Sequence, residues 1–306
     1  MKSIFFTGKG GTGKSTLSAA AGWQLSQKGF SVLTVSLDPA HNLGDIFNIK
    51  LSDNKMKLRE NLYLMEADTK KTADSYIKTN INLVKEVYGY LRAFNMDKYL
   101  KILKYSPGIE EYAILTILEK IFFQESDKFD YIVFDTPPTG LMLRIFALPE
   151  ISLTWIKKLI KIRKTILSKR YTIHNIEGSY SPEGITLPYK ESDDSVIIKL
   201  YELKNRYSKI KEILQGNSNS ANIVFNPDIL SIKESLRIIE GLKDLQIPVN
   251  YVFNNRVSIS NIDSAVYAEK ELLKQYPSLK MSRVSLSENI HTEGYILQED
   301  ITDLII

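Results

Sequence analysis

The amino-acid sequence predicts an α/β protein built on a mostly parallel, doubly wound sheet. Short apolar runs alternate with longer helical stretches, and several runs end in glycine or aspartate, which is typical of buried parallel strands. The predicted strands lie near residues 4–7, 32–37, 62–67, 131–134, 222–226 and 249–254. Between them, the stretches 72–104 and 151–169 have apolar residues at helical spacing.

The composition is that of a globular protein without cysteine chemistry. Hydrophobic residues make up 43% and charged residues 25% of the 306 residues, and 40 basic against 36 acidic side chains leave a net charge of +4. This surplus does not by itself favour nucleic acid as a partner. Because the sequence has no cysteine, it excludes disulfides, thiolate zinc sites and iron–sulfur clusters held by cysteine. No uninterrupted apolar run approaches the roughly 18 residues that span a bilayer, so we expect a cytoplasmic protein.

A glycine-rich loop follows the first predicted strand. GKGGTGKS, residues 8–15, has the Gly-x4-Gly-Lys-Ser/Thr spacing of a P-loop, and a helical pattern follows at 16–28. Backbone N–H groups of such a loop approach phosphate oxygens, and the helix N-terminus adds partial positive charge. Lys14 is expected to reach the β- and γ-phosphates and Ser15 to ligate Mg²⁺. The predicted nucleotide-binding residues of the loop are Gly8, Lys9, Gly10, Gly11, Thr12, Gly13, Lys14, Ser15 and Thr16.

Two aspartates follow later predicted strands, at the edge where open α/β sheets bind ligands. Asp38 either orients or deprotonates a water that attacks the γ-phosphate, or simply begins an Asp-Pro turn. Asp135 has the position of the Mg²⁺-side carboxylate of P-loop proteins, which acts directly or through water. After it, two prolines and Gly140 predict a hinged loop that senses the γ-phosphate. The predicted switch residues are Asp38, Pro39, Asp135, Thr136, Pro137 and Gly140.

Lys9 directly follows the first glycine of the loop. A phosphate cradle within one chain that already contains Lys14 does not need it, so Lys9 is either a solvated loop residue or acts between chains. The loop resembles the deviant Walker A motif of a dimeric ATPase class that includes MinD, ParA, nitrogenase iron protein and the arsenical pump ATPases. The resemblance implies a homodimer in which Lys9 reaches the partner's nucleotide, in a role like that of an arginine finger.

Other segments resemble one family of this class, which contains the arsenical pump-driving ATPase (ArsA) and the guided-entry ATPase that targets tail-anchored proteins. DPAHNLGDIF (38–47) and DTPPTGLMLRIFALPE (135–150) resemble its two switches. PGIEEYAIL (107–115), NIVFNPDILSIKESLRIIEGL (222–242) and YVFNNRV (251–257) resemble further segments, and the similarity extends to about residue 295. The family implies a single P-loop ATPase domain over 1–306, with a helical subdomain inserted from about 69–128 and 150–215.

The resemblance also implies roles for single residues. Asp38 positions the attacking water, and it forms the catalytic set with Lys9 and Lys14. Asp135 joins the Mg²⁺ shell through water. Asn254 reads the adenine edge, or is an ordinary strand-end asparagine. Asp228 matches an acidic position that contacts ribose across the dimer.

The sequence departs from the family pattern in three ways. Leu141 replaces a histidine of the second switch, and Ile229 replaces an aromatic residue. Without cysteine, neither the thiolate metalloid site of the pump ATPases nor the interfacial zinc site of the targeting ATPases can form. We therefore expect Mg²⁺-dependent ATP hydrolysis coupled to capture and delivery of hydrophobic, tail-anchored-like segments. The alternatives are an ATPase subunit of an arsenite or anion efflux pump and a partition- or scaffold-type ATPase.

The two helical stretches, 72–104 and 151–169, leave two interpretations open. They are either core of the α/β unit or, as in the targeting branch of the family, walls of a groove for a client's apolar helix. Residues 157–170 contain seven basic and no acidic side chains. This run is either a solvated face or a surface for an anionic membrane, a partner helix or DNA. We expect nucleic acid not to be the partner, and membrane association to occur only through another protein.

Overall fold

The computed structural model describes residues 1–39, 42–87, 105–177, 188–286 and 299–304. The described residues divide into two compact units, the first within 1–80, 96–146 and 213–306, the second within 81–95 and 147–212. Residues 40–41 of the predicted first switch and residues 88–104 of the first helical stretch lie outside the described ranges.

One sheet of eight strands forms the centre of the described part of the first unit, in the order β3-β4-β2-β5-β1-β6-β7-β8. The strands are β1 (Lys2–Thr7), β2 (Val32–Ser36), β3 (Met56–Arg59), β4 (Leu62–Glu66), β5 (Tyr131–Asp135), β6 (Asn219–Phe225), β7 (Val249–Val257) and β8 (Lys280–Ser285). The helices are α1 (Lys14–Gln27), α2 (Asn42–Phe47), α3 (Thr69–Val87), α4 (Ile109–Gln124), α5 (Thr139–Glu177), α6 (Ser195–Gln215), α7 (Ile229–Asp244) and α8 (Ile262–Gln275).

Strand directions confirm the predicted fold class. Every pairing in the sheet is parallel except β3 with β4, which is antiparallel. β1 lies between β5 and β6, with Lys2 opposite Tyr131 and Ser3 opposite Asn219. Residues 3–7 and 131–135 are all buried, because helices cover both faces of the sheet. The rings of Phe5 and Phe134 stack at 4.4 Å between centroids.

Two strands and one helix differ from the sequence-based expectation. β3 and β8 were not predicted, because their residues are mostly exposed or half-buried and give no apolar run. The predicted helix over 151–169 is part of the longer α5, which begins at Thr139 and contains Pro149. Gly140 therefore lies in the first turn of a helix and not in the predicted loop, whereas the two prolines before it do lie in a loop between β5 and α5.

In the second unit, α5 is apolar on two faces. One face is buried and contains Leu153, Ile156, Ile160 and Leu167. The other face is exposed and forms what we call the α5 stripe: Ile151, Trp155, Leu159, Ile162, Ile166, Ile173 and Ile176. These residues recur at spacings of three, four or seven, so they lie along one side of the helix.

A buried ion pair joins α5 to the start of α6. Arg163 donates from Nε and Nη2 to the two carboxylate oxygens of Asp194, at 3.0 and 2.6 Å. Asp194 also accepts a 2.8 Å hydrogen bond from the backbone N–H of Ile197 and so caps α6. Burial raises the pKa of Asp194, but these hydrogen bonds outweigh that effect and hold its pKa below the usual value.

Among the described residues, the segment 139–176 of α5 is the one stretch long and apolar enough to cross a membrane, judged by length and composition alone. Half of its most apolar window is buried inside the protein. The core helix of a water-soluble protein meets the same two criteria, so this finding is weak evidence for a membrane span.

Candidate nucleotide site

The glycine-rich loop joins β1 to α1 at the centre of the sheet, and two of its glycines are required by close neighbours. A Cβ on Gly8 would lie 2.1 Å from the carbonyl oxygen of Val224 on β6. Gly13 has φ 95°, and a Cβ there would lie 2.2 Å from Nδ2 of Asn255. Since backbone and a held amide occupy these positions, only glycine lets the loop pass so close to its neighbours.

Hydrogen bonds within the loop converge on the carbonyl oxygen of Lys9. Oγ1 of Thr12 donates to it at 2.9 Å, and Nζ of Lys14 donates at 3.3 Å. Gly13 precedes α1 and supplies no side-chain cap, so the first N–H groups of the helix remain available to an anionic ligand. The side chain of Lys9 is half-exposed, and its ammonium has no partner within the described ranges.

A cavity of about 450 Å³ opens beside this loop. Six loop residues between Gly10 and Thr16 line it. From other segments it is lined by Asp38, Asn42, Asp45, Ile46, Pro138 and Arg256. The structure thus brings the predicted P-loop, the aspartate of the first switch and a proline of the second switch to one cavity, at the carboxyl end of the strands.

Asp135 lies fully buried at the end of β5, next to this cavity. Its carboxylate is hydrogen-bonded by the hydroxyl of Ser15 and by Oγ of Ser36, the latter at 3.4 Å, while its Oδ1 has no partner among the described residues. Burial is the main cause that raises the pKa of Asp135 to about 7, against the opposing charge of Lys14. Burial also lowers the pKa of Lys14, an effect that the carboxylates of Asp135 and Asp38 partly offset.

The side-chain oxygens of Ser15 and Asp135 are suitable ligands for a magnesium ion. Mg²⁺ prefers carboxylate, hydroxyl and water oxygens, and Ser15 places its hydroxyl against the carboxylate of Asp135. The unpartnered Oδ1 of Asp135 is a buried acceptor, which is costly unless a cation or a donor approaches it. The two residues that the sequence assigns to the Mg²⁺ shell are therefore neighbours in the fold.

Replacement of Asp135 by asparagine is expected to stabilise the nucleotide-free protein, and to do so more at pH 8 than at pH 5. The folded protein keeps the proton up to a pH of about 7, whereas an aspartate of the unfolded chain has a pKa of 3.8. The free energy of unfolding of the wild-type protein therefore falls as the pH rises from 3.8 to above 7. Between pH 5 and pH 8 the fall is about 2–3 kcal/mol. Urea unfolding at both pH values measures the effect, with the exposed Asp127→Asn as control. An equal effect of Asp135→Asn at both pH values would contradict it.

The predicted switch residues are anchored to the sheet to different degrees. Thr136 is buried, and its hydroxyl donates to the carbonyl oxygen of Phe6 at 2.7 Å. Pro137 is buried, while Pro39 is exposed and precedes the residues that the structure does not describe. On α2, the N–H of Gly44 donates to Oε1 of buried Glu66 at 2.8 Å, so the first switch is tied to the end of β4.

The two predicted binding residues outside the P-loop lie apart from the cavity lining. Asn254 is buried, and its Nδ2 donates to Oε1 of Glu269 at 2.9 Å, toward α8. Asp228 is exposed and caps α7 by accepting from the N–H of Ser231 at 2.8 Å. Their predicted contacts with adenine and ribose remain predictions. The neighbouring Asn255, which the sequence analysis did not select, donates from Nδ2 to the carbonyl oxygen of Thr12 at 2.7 Å.

The fold and the cavity define a P-loop nucleotide-binding protein, in which a phosphate loop follows the central strand of a parallel sheet. Residues 1–283 match the family model described as anion-transporting ATPase. The chain belongs to this family, and its membership confirms the predicted ATPase activity.

Named relatives come from both branches that the sequence resembles. "Putative arsenical pump-driving ATPase 2" of Aquifex aeolicus is 30% identical over 277 residues, 90% of this chain and 87% of the relative. "Putative arsenical pump-driving ATPase" of Chlorobaculum tepidum is 32% identical over 88% of this chain and 64% of its own length. "ATPase ASNA1 homolog" of Cryptosporidium parvum is 31% identical over 84% of this chain and 65% of its own length. The chain thus spans most of the first and about two-thirds of the other two.

Proposed function

We propose that the protein is a homodimeric, Mg²⁺-dependent ATPase that captures an apolar helix of a client protein. The α5 stripe is the observation that carries this proposal. ATP hydrolysis follows from membership of the family. The homodimer, the bound Mg²⁺ and the client helix are what we propose in addition. The helical subdomain expected from 69–128 and 150–215 is part of the proposal, as is a cytoplasmic location.

Five side chains of the nucleotide site support the dimer and the metal. Lys14 is the buried cation of the loop, and Lys9 is half-exposed with an unpartnered ammonium. We assign Lys14 to the nucleotide of its own chain and Lys9 to that of a second copy. Ser15 and Asp135 would hold Mg²⁺, which supplies charge neutralisation of the phosphates. Asp38, which lines the cavity, would orient the attacking water.

The α5 stripe supports an apolar client. Trp155 is 61% exposed, Ile162 57% and Ile173 52%, and side chains of this size contribute about 1.5–3 kcal/mol each when fully buried. An apolar stripe along one helix is the surface that an amphipathic or membrane-type helix packs against. ATPases named ASNA1 homologs are among the relatives, which agrees with this branch of the family.

The basic run 157–170 gives less support to a DNA-binding surface than its composition suggests. Arg163 is used in the buried pair with Asp194, Lys164 pairs with Glu191 at 3.0 Å, and Arg170 donates to the carbonyl oxygen of Pro188 at 3.1 Å. Three of the seven basic side chains thus have hydrogen-bond or ion-pair partners within the second unit. The partition-type alternative loses part of the surface on which it depends.

The test measures capture of a fluorescent peptide with about 20 apolar residues, together with ATP turnover. The wild-type protein should bind the peptide and change its turnover. The triple variant Trp155→Ser, Leu159→Ser, Ile162→Ser should bind at least about tenfold more weakly. A matched variant on the same helix, Lys157→Ser with Lys161→Ser, should bind normally, since it removes charge and leaves the stripe intact.

Other outcomes of the same experiment decide the alternatives. Equal binding by wild type and the stripe variant would contradict the client proposal. Turnover stimulated by arsenite and unaffected by peptide would favour the efflux-pump subunit, since several relatives are named arsenical pump-driving ATPases. Salt-dependent DNA binding that the lysine variant loses would favour the partition-type ATPase.

A further inference from the structure

Arg256 lines the nucleotide cavity, and it was assigned no role from the sequence although it lies in the segment YVFNNRV (251–257). It lies near the carboxyl end of β7, is exposed, and shares the cavity wall with the P-loop. In the part of the chain that the structure describes, its guanidinium has no hydrogen-bond or ion-pair partner. Asp38 and Asp45 line the same cavity. A guanidinium carries five N–H donors and a permanent charge, so this cavity presents an unused anion-binding group.

The backbone at Arg256 has a conformation that re-aims its side chain. Its φ is 59°, in the left-handed region that arginine seldom adopts. The register between β7 and β8 shifts between Asn254 and Val257, and together with the positive φ we interpret this shift as a β-bulge. Bulges occur beside active sites, where they redirect a side chain that regular alternation would send elsewhere.

One hydrogen bond ties the backbone beside Arg256 to the P-loop, and another ties it to the segment that follows β7. On one side, Nδ2 of Asn255 donates to the carbonyl oxygen of Thr12 at 2.7 Å. On the other, Nδ2 of Asn261 donates to the carbonyl oxygen of Arg256 itself at 2.9 Å. The position of Arg256 is therefore coupled to the phosphate loop through one residue, and the strained backbone persists because its surroundings fix it.

We propose that Arg256 binds the phosphate chain of the nucleotide. The guanidinium would make a charge-assisted, forked contact with non-bridging oxygens, which a lysine ammonium cannot reproduce. The nucleotide would then be held by Lys14 from the loop and by Arg256 from the end of β7. The inference rests on the assignment of ATP to this cavity, and it adds a binding residue outside the loop and both switches.

Calorimetric titration of the full chain with ADP and with ATP, in excess Mg²⁺, tests the proposal. Arg256→Ala should weaken both nucleotides about tenfold, the range for a hydrogen bond to a charged group. Arg256→Lys should recover only part of the loss. Arg256→Gly removes the same side chain but suits the left-handed backbone, so it guards against misfolding of the bulge. Arg237→Ala, at an exposed position of α7, is the matched control.

The remaining outcomes separate this proposal from the site assignment. If Lys14→Ala loses affinity while Arg256→Ala and Arg256→Gly keep wild-type affinity, the role of Arg256 is overturned and the nucleotide site stands. If Lys14→Ala also binds normally, the cavity is not the nucleotide site and both ideas fail. If the Arg256 variants keep wild-type affinity but their kcat falls more steeply with dilution than that of the wild type, Arg256 acts against a second copy, which likewise overturns a contact within the chain.

Discussion

Replacement of Lys14 by alanine is expected to lower kcat/KM for ATP by at least about 100-fold. Lys14 is buried, and its ammonium lies at 3.3 Å from the carbonyl oxygen of Lys9, within the electrostatic reach of Asp135 and Asp38. Without it, the cavity would present two carboxylates to the phosphate chain and no buried cation. Nucleotide affinity and turnover should therefore fall together, which steady-state kinetics and titration with ADP measure separately.

Two further variants make this result specific. Lys270→Ala, at an exposed position of α8, should behave as wild type. Lys9→Ala should keep ADP affinity and lose turnover, because Lys9 is proposed to serve the nucleotide of the second copy. Normal turnover in Lys14→Ala would show that the loop does not form the catalytic phosphate site.

Replacement of Asp194 by alanine is expected to destabilise the second unit by about 3 kcal/mol. Asp194 is 1% exposed and is the bidentate partner of Arg163, so its removal leaves a guanidinium without a carboxylate. The same change removes the N-terminal cap of α6, which adds to the loss. Urea unfolding followed by circular dichroism measures the effect, with limited proteolysis reporting which unit opens.

Matched substitutions separate the two contributions. Asp194→Asn retains a capping oxygen but not the charge, so it should lose less stability than alanine. Asp193→Ala removes an exposed carboxylate one residue away and should be nearly neutral. If Asp194→Ala and Asp193→Ala unfold at the same urea concentration, the buried pair contributes nothing measurable.

The sequence predicted the centre of the sheet and the phosphate loop, because buried parallel strands leave apolar runs and the loop needs glycine at fixed positions. It did not predict β3 and β8, whose residues are mostly exposed or half-buried. For α5, periodicity identified apolar positions but not their surroundings. Ile160 and Leu167 are buried, whereas Leu159 and Ile166 are exposed.

The parts of the site that sequence reasoning missed depend on three-dimensional geometry. Asn255 contacts the P-loop from a strand that lies about 240 residues further along the chain. Arg256 reaches the cavity through a bulge and a left-handed φ. Glycine or asparagine at this position would have indicated such a backbone, but arginine does not. The hydrogen bond from Gly44 to Glu66 joins α2 to the end of β4, which no local sequence pattern relates. Such contacts become visible only when the register of the strands is known.

The pairing of β1 has a consequence for biosynthesis. β1 carries the phosphate loop, yet its two neighbours are β5 and β6, and Oγ of Ser3 donates to Oδ1 of Asn219 across 216 positions of sequence. Translation at about 5–20 residues per second separates these strands by roughly ten seconds or more. Pairings so distant in the chain also make folding slow. The proposed ATP site is therefore completed late, only after β6 and then β7, which carries Asn255 and Arg256, have been synthesised.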